Sequence, residues 1–186
     1  MVYTVTFSPA IDYVVSLSKF SAGGINRADK EEIFIGGKGT NVSWILNNLE
    51  VKTKALGFVA GFTGDLIEKS TLERGILTDF IHLKSGFSRI NVKIKTELET
   101  EVNGQGPDID ESDVDELFYL LEQIGDGDIL VLAGSIPKAL PTDIYEKIIK
   151  NLIDINKKIR YVVDATGDLL LNVLKYKPFL VKPNHF

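Results

Sequence analysis

Short uninterrupted apolar runs alternate along this chain with stretches whose apolar residues recur at helical spacing. Residues 55–59, 129–133, 160–163 and 179–181 form such runs, each bounded by Gly, Asp or Pro. Continuous apolarity over so few residues suits strands buried on both faces of a parallel sheet. Between them, Val42, Ile45, Leu46 and Leu49 fall at i, i+3, i+4 and i+7. Val114, Leu117, Phe118 and Leu121 repeat that spacing, and Ile144, Ile148, Leu152 and Ile155 hold one face of a third helix. Asp110, or Ser112 with Asp115, can cap the second helix, and Pro141 suits the first turn of the third. Strand then helix, repeated, predicts an α/β fold built on a doubly wound, mostly parallel sheet.

Two stretches depart from this pattern. From Arg89 to Lys95 the residues alternate strictly, with Ile90, Val92 and Ile94 on one face and Asn91, Lys93 and Lys95 on the other. The segments 12–17 and 31–35 are also strand-like, with no helical pattern between them. A period of two with one wet face predicts a small antiparallel sheet. Its strands lie within approximately 12–35 and 88–103, inserted in a single α/β domain over 1–186. Such a sheet would serve as a lid, or as a dimer face whose edges pair two chains into a homodimer. No linker, low-complexity tract or internal repeat interrupts the chain. The last residues follow directly on a core strand, with no helix after it. Ligands gather where loops leave the C-terminal ends of such strands. The natural protein is therefore expected to continue beyond Phe186, the chain being its N-terminal portion.

Composition narrows the chemistry. The 186 residues suffice for one well-buried domain, and 44% hydrophobic with 25% charged residues is ordinary for a soluble one. No apolar run approaches a membrane span, and residues 1–7 read as a strand rather than a signal peptide. Cysteine is absent, which excludes disulfides, thiolate metal sites and cysteine nucleophiles and fits a cytoplasmic setting. The two histidines, His82 and His185, stand in unrelated contexts, so a metal cluster or a Ser-His-Asp triad is not expected. A net charge of −5 argues against nucleic-acid or anionic-membrane partners. An anionic small molecule would have to be met by a few local cations and oriented backbone N–H groups.

The sharpest local signal is Gly36-Gly-Lys-Gly-Thr-Asn-Val42, between a predicted strand and a predicted helix. Its glycines let backbone approach a ligand, and the helix start presents unpaired N–H groups. Lys38 adds a point charge, and Asn41 a donor and an acceptor. The bland alternative is a tight turn packing helix on sheet. Neither a Walker A loop nor Gly-x-Gly-x-x-Gly is present here. Gly57-Phe-Val-Ala-Gly-Phe-Thr-Gly64 suggests a dinucleotide loop with Asp79 as its acid, or simply a structural turn. Of four arginines, Arg27 and Arg89 flank the small sheet, where they are either phosphate partners or solvated rim charges. Asp12 is a turn former or a hydroxyl acceptor, and Gly134-Ser135 a turn or an anion contact at a strand end.

Taken in order, these pieces resemble the ribokinase-like (PfkB) carbohydrate kinases. The matching segments are Ser8-Pro-Ala-Ile-Asp12, Gly24-Ile-Asn-Arg27, Gly36 to Val42, Gly57 to Gly61, Leu132-Ala-Gly-Ser-Ile-Pro137, Val163-Asp164 and Lys182-Pro-Asn184. Ser88 to Lys95 with Thr100 to Pro107 look like the 1-phosphofructokinase branch; the tagatose-6-phosphate kinase branch is close. The resemblance implies phosphoryl transfer from ATP, with Mg²⁺, to a phosphosugar hydroxyl. It also implies that Asp12, Gly37 and Asn41 hold sugar hydroxyls. By the same matching Arg27, Lys38, Arg89 and Ser135 face the substrate's existing phosphate, and Asp164, Lys182 and Asn184 lie toward ATP and Mg²⁺. The family's Gly-Ala-Gly-Asp loop, whose Asp removes the hydroxyl proton, has no counterpart in these residues, nor does the Glu expected three residues after Asn184. Asp65 and Asp168 follow glycines in unsuitable surroundings. The chain alone is therefore expected to lack useful kinase activity, whether as a kinase fragment or as a silent sugar-phosphate binding module.

Overall fold

The computed structural model describes residues 1–183. The chain opens with β1 (Val2–Thr6), β2 (Ala10–Ser16), β3 (Lys30–Gly36), α1 (Lys38–Asn48), β4 (Thr53–Ala60), α2 (Gly61–Glu73) and β5 (Leu77–Leu83). It continues with β6 (Ile90–Lys95), β7 (Glu99–Asn103), α3 (Glu111–Glu122), β8 (Ile129–Ala133), α4 (Ile144–Asp154), β9 (Arg160–Asp164), α5 (Gly167–Leu171), a 3-10 turn at Leu174–Tyr176 and β10 (Leu180–Val181). Six strands make one parallel sheet in the order β10-β9-β8-β1-β4-β5.

Both faces of this sheet carry apolar side chains, because its inner strands β4 and β8 are apolar at successive positions. Leu56 and Phe58 of β4 and Leu130 and Leu132 of β8 pack with Leu117 and Leu121 of α3 and Ile144, Ile148 and Leu152 of α4. Their neighbours Ala55 and Val59 turn the other way, onto Ile67 of α2. The helices behave as their periodicity predicts, with two exceptions. In α4 the first helical residue is Ile144, so Pro141 belongs to the turn before the helix, and its carbonyl accepts from the Ile144 amide. In α1 only half of the apolar stripe meets the sheet: Val42 and Leu46 pack on Val2, Val131 and Ala133, whereas Ile45 is 58% and Leu49 67% exposed and Gly39, Thr40 and Ser43 are buried. Gly39 explains this, because a Cβ there would stand 2.8 Å from the Val5 carbonyl oxygen. The helix crosses β1 so closely that only small residues fit between them. Among the two capping options for α3 the structure takes Asp110, whose amide donates to Asp113 Oδ2 at 2.8 Å.

The remaining strands form a second sheet in the order β3-β2-β6-β7. Its outer pairings are antiparallel as expected, but the central β2–β6 pairing is parallel, so the sheet is mixed. Two strands joined by a tight hairpin must run antiparallel; β2 and β6 are instead separated by β3, α1, β4, α2 and β5 and are free to run together. One face, with Ile11, Ile35 and Ile90, packs on Ala55, Val59, Ile67, Ile76 and Phe80. The opposite face carries a row in register across all four strands: Phe34, Asp12, Asn91 and Asn103. Among the described residues no helix is long and apolar enough to cross a membrane.

Candidate functional site

The C-terminal ends of β1, β8 and β9 meet the start of α1 and the edge of the second sheet. Gly37 joins β3 to α1 at φ 134°, a conformation favouring glycine, and a Cβ would come within 2.4 Å of Thr40 Oγ1. Thr6, at the end of β1, anchors the turn by accepting the Thr40 amide at 3.0 Å. The Thr40 hydroxyl in turn donates to the Gly37 carbonyl at 2.9 Å. These contacts hold Lys38 and Asn41 on the exposed side of the turn, where both line a cavity with Asp164 and Lys182. Asp164 Oδ1 accepts from Lys182 Nζ at 3.1 Å and lies 4.0 Å from Lys38 Nζ. One buried carboxylate thus gathers two ammonium groups at the end of β9.

A second cavity, of about 320 Å³, lies across the turn after β8 and is lined by Ser8, Arg89, Asn103, Gln105, Ser135 and Lys138 among others. It holds two cations, four neutral polar side chains and no carboxylate. In a chain with net charge −5 that composition selects for an anion. Arg89 is aimed by its neighbour: the Ser88 hydroxyl accepts the Ala60 amide at 3.0 Å, and the Ser88 amide donates to the Ala60 carbonyl at 2.9 Å. On the other side the Arg89 carbonyl takes the Ile11 amide at 3.0 Å. The guanidinium Nε is buried without a partner, and burial lowers the group's pKa while the Asp12 charge opposes that shift. Starting from so high a value, Arg89 remains a cation.

Between the two cavities sits the Gly134–Ser135 turn. Gly134 abuts the Lys38 side chain, at 3.7 Å from a notional Cβ, and Ser135 faces the Arg89 cavity. Its Gly134 carbonyl accepts from Tyr145 Oη at 3.0 Å; burial above all, and the Asp164 charge, push the Tyr145 phenol well up from its ordinary value. That phenol is a donor throughout the physiological range.

The profile of the pfkB family carbohydrate kinases matches residues 4–186. The chain belongs to the PfkB family. It is 47% identical to the 1-phosphofructokinase of Bacillus subtilis (strain 168) and 36% identical to the D-tagatose-1-phosphate kinase of Bacillus licheniformis, matching 100% and 99% of its own length. Both matches cover 60% of the relative, so the chain spans about three fifths of the curated relatives it resembles. A crystal structure from Staphylococcus aureus, named for a phosphofructokinase assignment, superposes with TM-score 0.89 at 40% identity over 98% of this chain and 59% of that one. The architecture is thus the ribokinase-like α/β fold of PfkB kinases, with its second sheet beside the ends of β1, β8 and β9.

Within this PfkB chain the expected residues fall into two groups on either side of the Gly134 turn. Arg89 and Ser135 share one cavity, with the Asp12 row alongside; Lys38 and Asn41 instead share the other with Asp164 and Lys182. Asp12 sits mid-strand on β2, receiving a 2.8 Å hydrogen bond from Asn91 and lying 3.6 Å from Lys93. Arg27 is exposed on the β2–β3 loop and lines neither cavity, and Asn184 lies outside the described residues. Ser8, Asn103, Gln105 and Lys138 were given no role from the sequence, although Ser8 and the 103–107 segment lie in stretches that resemble the family. The signal available was Asn103-Gly-Gln-Gly-Pro107, a turn that returns beside Arg89. The Gly57–Gly64 stretch is structural: Ser88 occupies the start of α2, and Asp79 pairs with Lys54 at 2.7 Å.

Proposed function

We propose that this chain carries the acceptor site of an ATP-dependent kinase that converts fructose 1-phosphate to fructose 1,6-bisphosphate. The observation that carries the reading is the acid-free cavity of Arg89, Lys138 and Ser135 beside the polar row of Asp12. Arg89 and Lys138 neutralise the phosphate the ketose already bears, Arg through its planar fork and Lys as a point charge. Ser8 and Ser135 donate to its remaining oxygens. Asp12, an acceptor only when ionised, takes the hydrogens of the sugar hydroxyls, with the Gly37 turn alongside; Asn41, which lines the other cavity, would meet the ring from the ATP side.

The ATP phosphates suit the other cavity, where Lys38 and Lys182 offer two cations within reach of one carboxylate. Mg²⁺ carried on those phosphates would neutralise developing charge, and Asp164 is the carboxylate placed to meet it. Among the described residues no cluster of three His, Cys, Asp or Glu side chains could hold a metal by itself. An ion that keeps its waters and phosphate ligands needs no such cluster. In the transfer, the free hydroxyl oxygen of the sugar forms a bond to the γ-phosphorus as the bond to ADP breaks, and the hydroxyl proton goes to a base. The 186-residue sequence contains no Gly-Ala-Gly-Asp segment to provide that base. Alone it is expected to bind sugar phosphate without useful turnover. The second sheet closes over the sugar as a lid, and its edges β3 and β7, with Ile33, Leu98 and Val102 exposed, suit pairing with a second copy in a cytoplasmic enzyme.

The relative that acts on D-tagatose 1-phosphate favours that ketose as the alternative acceptor over tagatose 6-phosphate. Calorimetric titration with the four ketose 1- and 6-phosphates of fructose and tagatose tests the reading. Fructose 1-phosphate should bind most tightly, and Arg89→Ala should abolish the preference. A chain that binds none of the four overturns the assignment. An ADP-release assay checks turnover, and sizing chromatography checks the dimer.

A further inference from the structure

The polar row across the second sheet contains one residue whose chemistry is otherwise unexplained. Asn91 is only 7% exposed, yet it is neither a core residue nor a cap. Its Nδ2 donates to Asp12 Oδ1 at 2.8 Å, an orientation set by the fact that a carboxylate can only accept. Its own Oδ1 is buried and has no partner. Buried amides that leave an acceptor unmet are uncommon, and such a group calls for a reason. Register supplies one: Asn91 lies directly between Asp12 on β2 and Asn103 on β7, and Asn103 lines the Arg89 cavity. In register the amide thus stands between the hydroxyl-accepting carboxylate and a side chain of the anion-binding cavity.

We propose that Asn91 is a positioning residue: it turns Asp12 so that the remaining lone pairs of its carboxylate meet the sugar hydroxyls. This rests on the acceptor-site reading above. Two cations assist from the same sheet and its edge, Lys93 at 3.6 Å from Asp12 Oδ2 and the Arg89 charge. Lys93 is shared with Glu101, also at 3.6 Å, so its pull on Asp12 is divided and not directional. The amide is directional. It spends one lone pair of Oδ1 and fixes the plane of the carboxylate, with Oδ2 near Lys93 but in no hydrogen bond to it. Asn91 thereby sets the preference for a polyol phosphate over bare phosphate without touching the phosphate itself.

The experiment compares fructose 1-phosphate and inorganic phosphate as probes, titrated calorimetrically into the 186-residue chain and its variants. Asn91→Leu, close in volume, should weaken fructose 1-phosphate about tenfold and leave inorganic phosphate unchanged, the loss of one charge-assisted hydrogen bond at the sugar end. Asn91→Asp adds a readout that a purely structural role does not move. Two carboxylates this close resist ionising together, so at low pH the pair shares a proton and the new acid donates to Asp12 as the amide did. As pH rises and that proton leaves, the fructose 1-phosphate affinity of Asn91→Asp should fall relative to the unsubstituted chain, while inorganic phosphate binding tracks it. Unchanged sugar-phosphate affinity in Asn91→Leu overturns the proposal, as does an equal loss for both probes. Should Asn91→Leu not fold, a pH-independent affinity ratio in Asn91→Asp overturns it. Failure of the unsubstituted chain to prefer fructose 1-phosphate over phosphate instead sinks the acceptor-site reading.

Discussion

Replacing Arg89 by Met separates the role of that side chain in binding from its role in stability. The guanidinium lies half-buried on a cavity wall, its Nε without a partner, and no ion pair within 4 Å is formed by it among the described residues. Leaving a buried donor unpaired costs about 1–3 kcal/mol. Met keeps the unbranched stem and removes both the charge and the unmet donor. Attraction to the Asp12 charge is lost as well, and it offsets part of the gain. The net expectation is a chain as stable as before or more stable by about 1 kcal/mol, a rise in Tm of about 2–4 °C for a domain of this size. Binding should move the other way. Each charge-assisted hydrogen bond to a phosphate oxygen contributes about 1.5–3 kcal/mol, so fructose 1-phosphate affinity should drop at least about tenfold and nearer a hundredfold if two bonds are lost. Differential scanning fluorimetry and calorimetry on one preparation read both quantities. A Tm lowered by more than about 4 °C together with affinity within about twofold would refute the reasoning, because it would make Arg89 a structural residue.

Tyr145→Phe removes only the hydroxyl that holds the Gly134 carbonyl; a stability loss of about 1 kcal/mol in urea is expected, with weaker phosphate binding as the Ser135 turn loosens. Gly39→Ala would drive a Cβ to 2.4 Å from Thr6 Oγ1 and 2.8 Å from the Val5 carbonyl, so a cost of about 1–3 kcal/mol should appear in the denaturation midpoint. The Lys175 ammonium, with the Tyr176 hydroxyl, holds the Glu146 carboxyl below its ordinary range. A depressed folded-state value gives stability that is present above the unfolded carboxylate pKa and lost as pH falls through the folded one. Glu146→Gln should therefore melt slightly earlier than the unsubstituted chain at neutral pH, and the gap should close on acidification, as followed by Tm against pH.

What was legible in the sequence and what was not divide along one physical line. Parallel strands buried on both faces must be apolar throughout, so β4, β8 and β9 announced themselves, as did the amphipathic α3 and α4. The glycine turn before α1 was legible because close backbone approach leaves no alternative residue. The rotation of α1 was only partly legible, because hydrophobic spacing records which residues share a face and not which face meets the sheet; Val42 and Leu46 of the stripe pack, Ile45 and Leu49 do not, and the small residues Gly39 and Ser43 decide. Two parts of the candidate site depended on tertiary distance. Lys38 shares its cavity with Asp164 instead of Arg89 because the Gly134 turn stands between them, and no local spacing encodes that separation. Asn91 looked like the wet side of an alternating strand, and only register with β2 sets it against Asp12.

The parallel pairing of β2 with β6 also bears on the order in which the molecule assembles. Asp12 and Asn91 are 79 positions apart, so joining them closes a large loop whose entropic cost must be met before the contact yields anything in return. During synthesis, β2 and β3 emerge as a bare hairpin with an open edge and stay so until residue 95 has been made and β4 and β5 have docked. Assembly of the proposed acceptor site is therefore a late step, reached after the hydrophobic scaffold, and quenched-flow amide protection should reach β1 and β4 before β2.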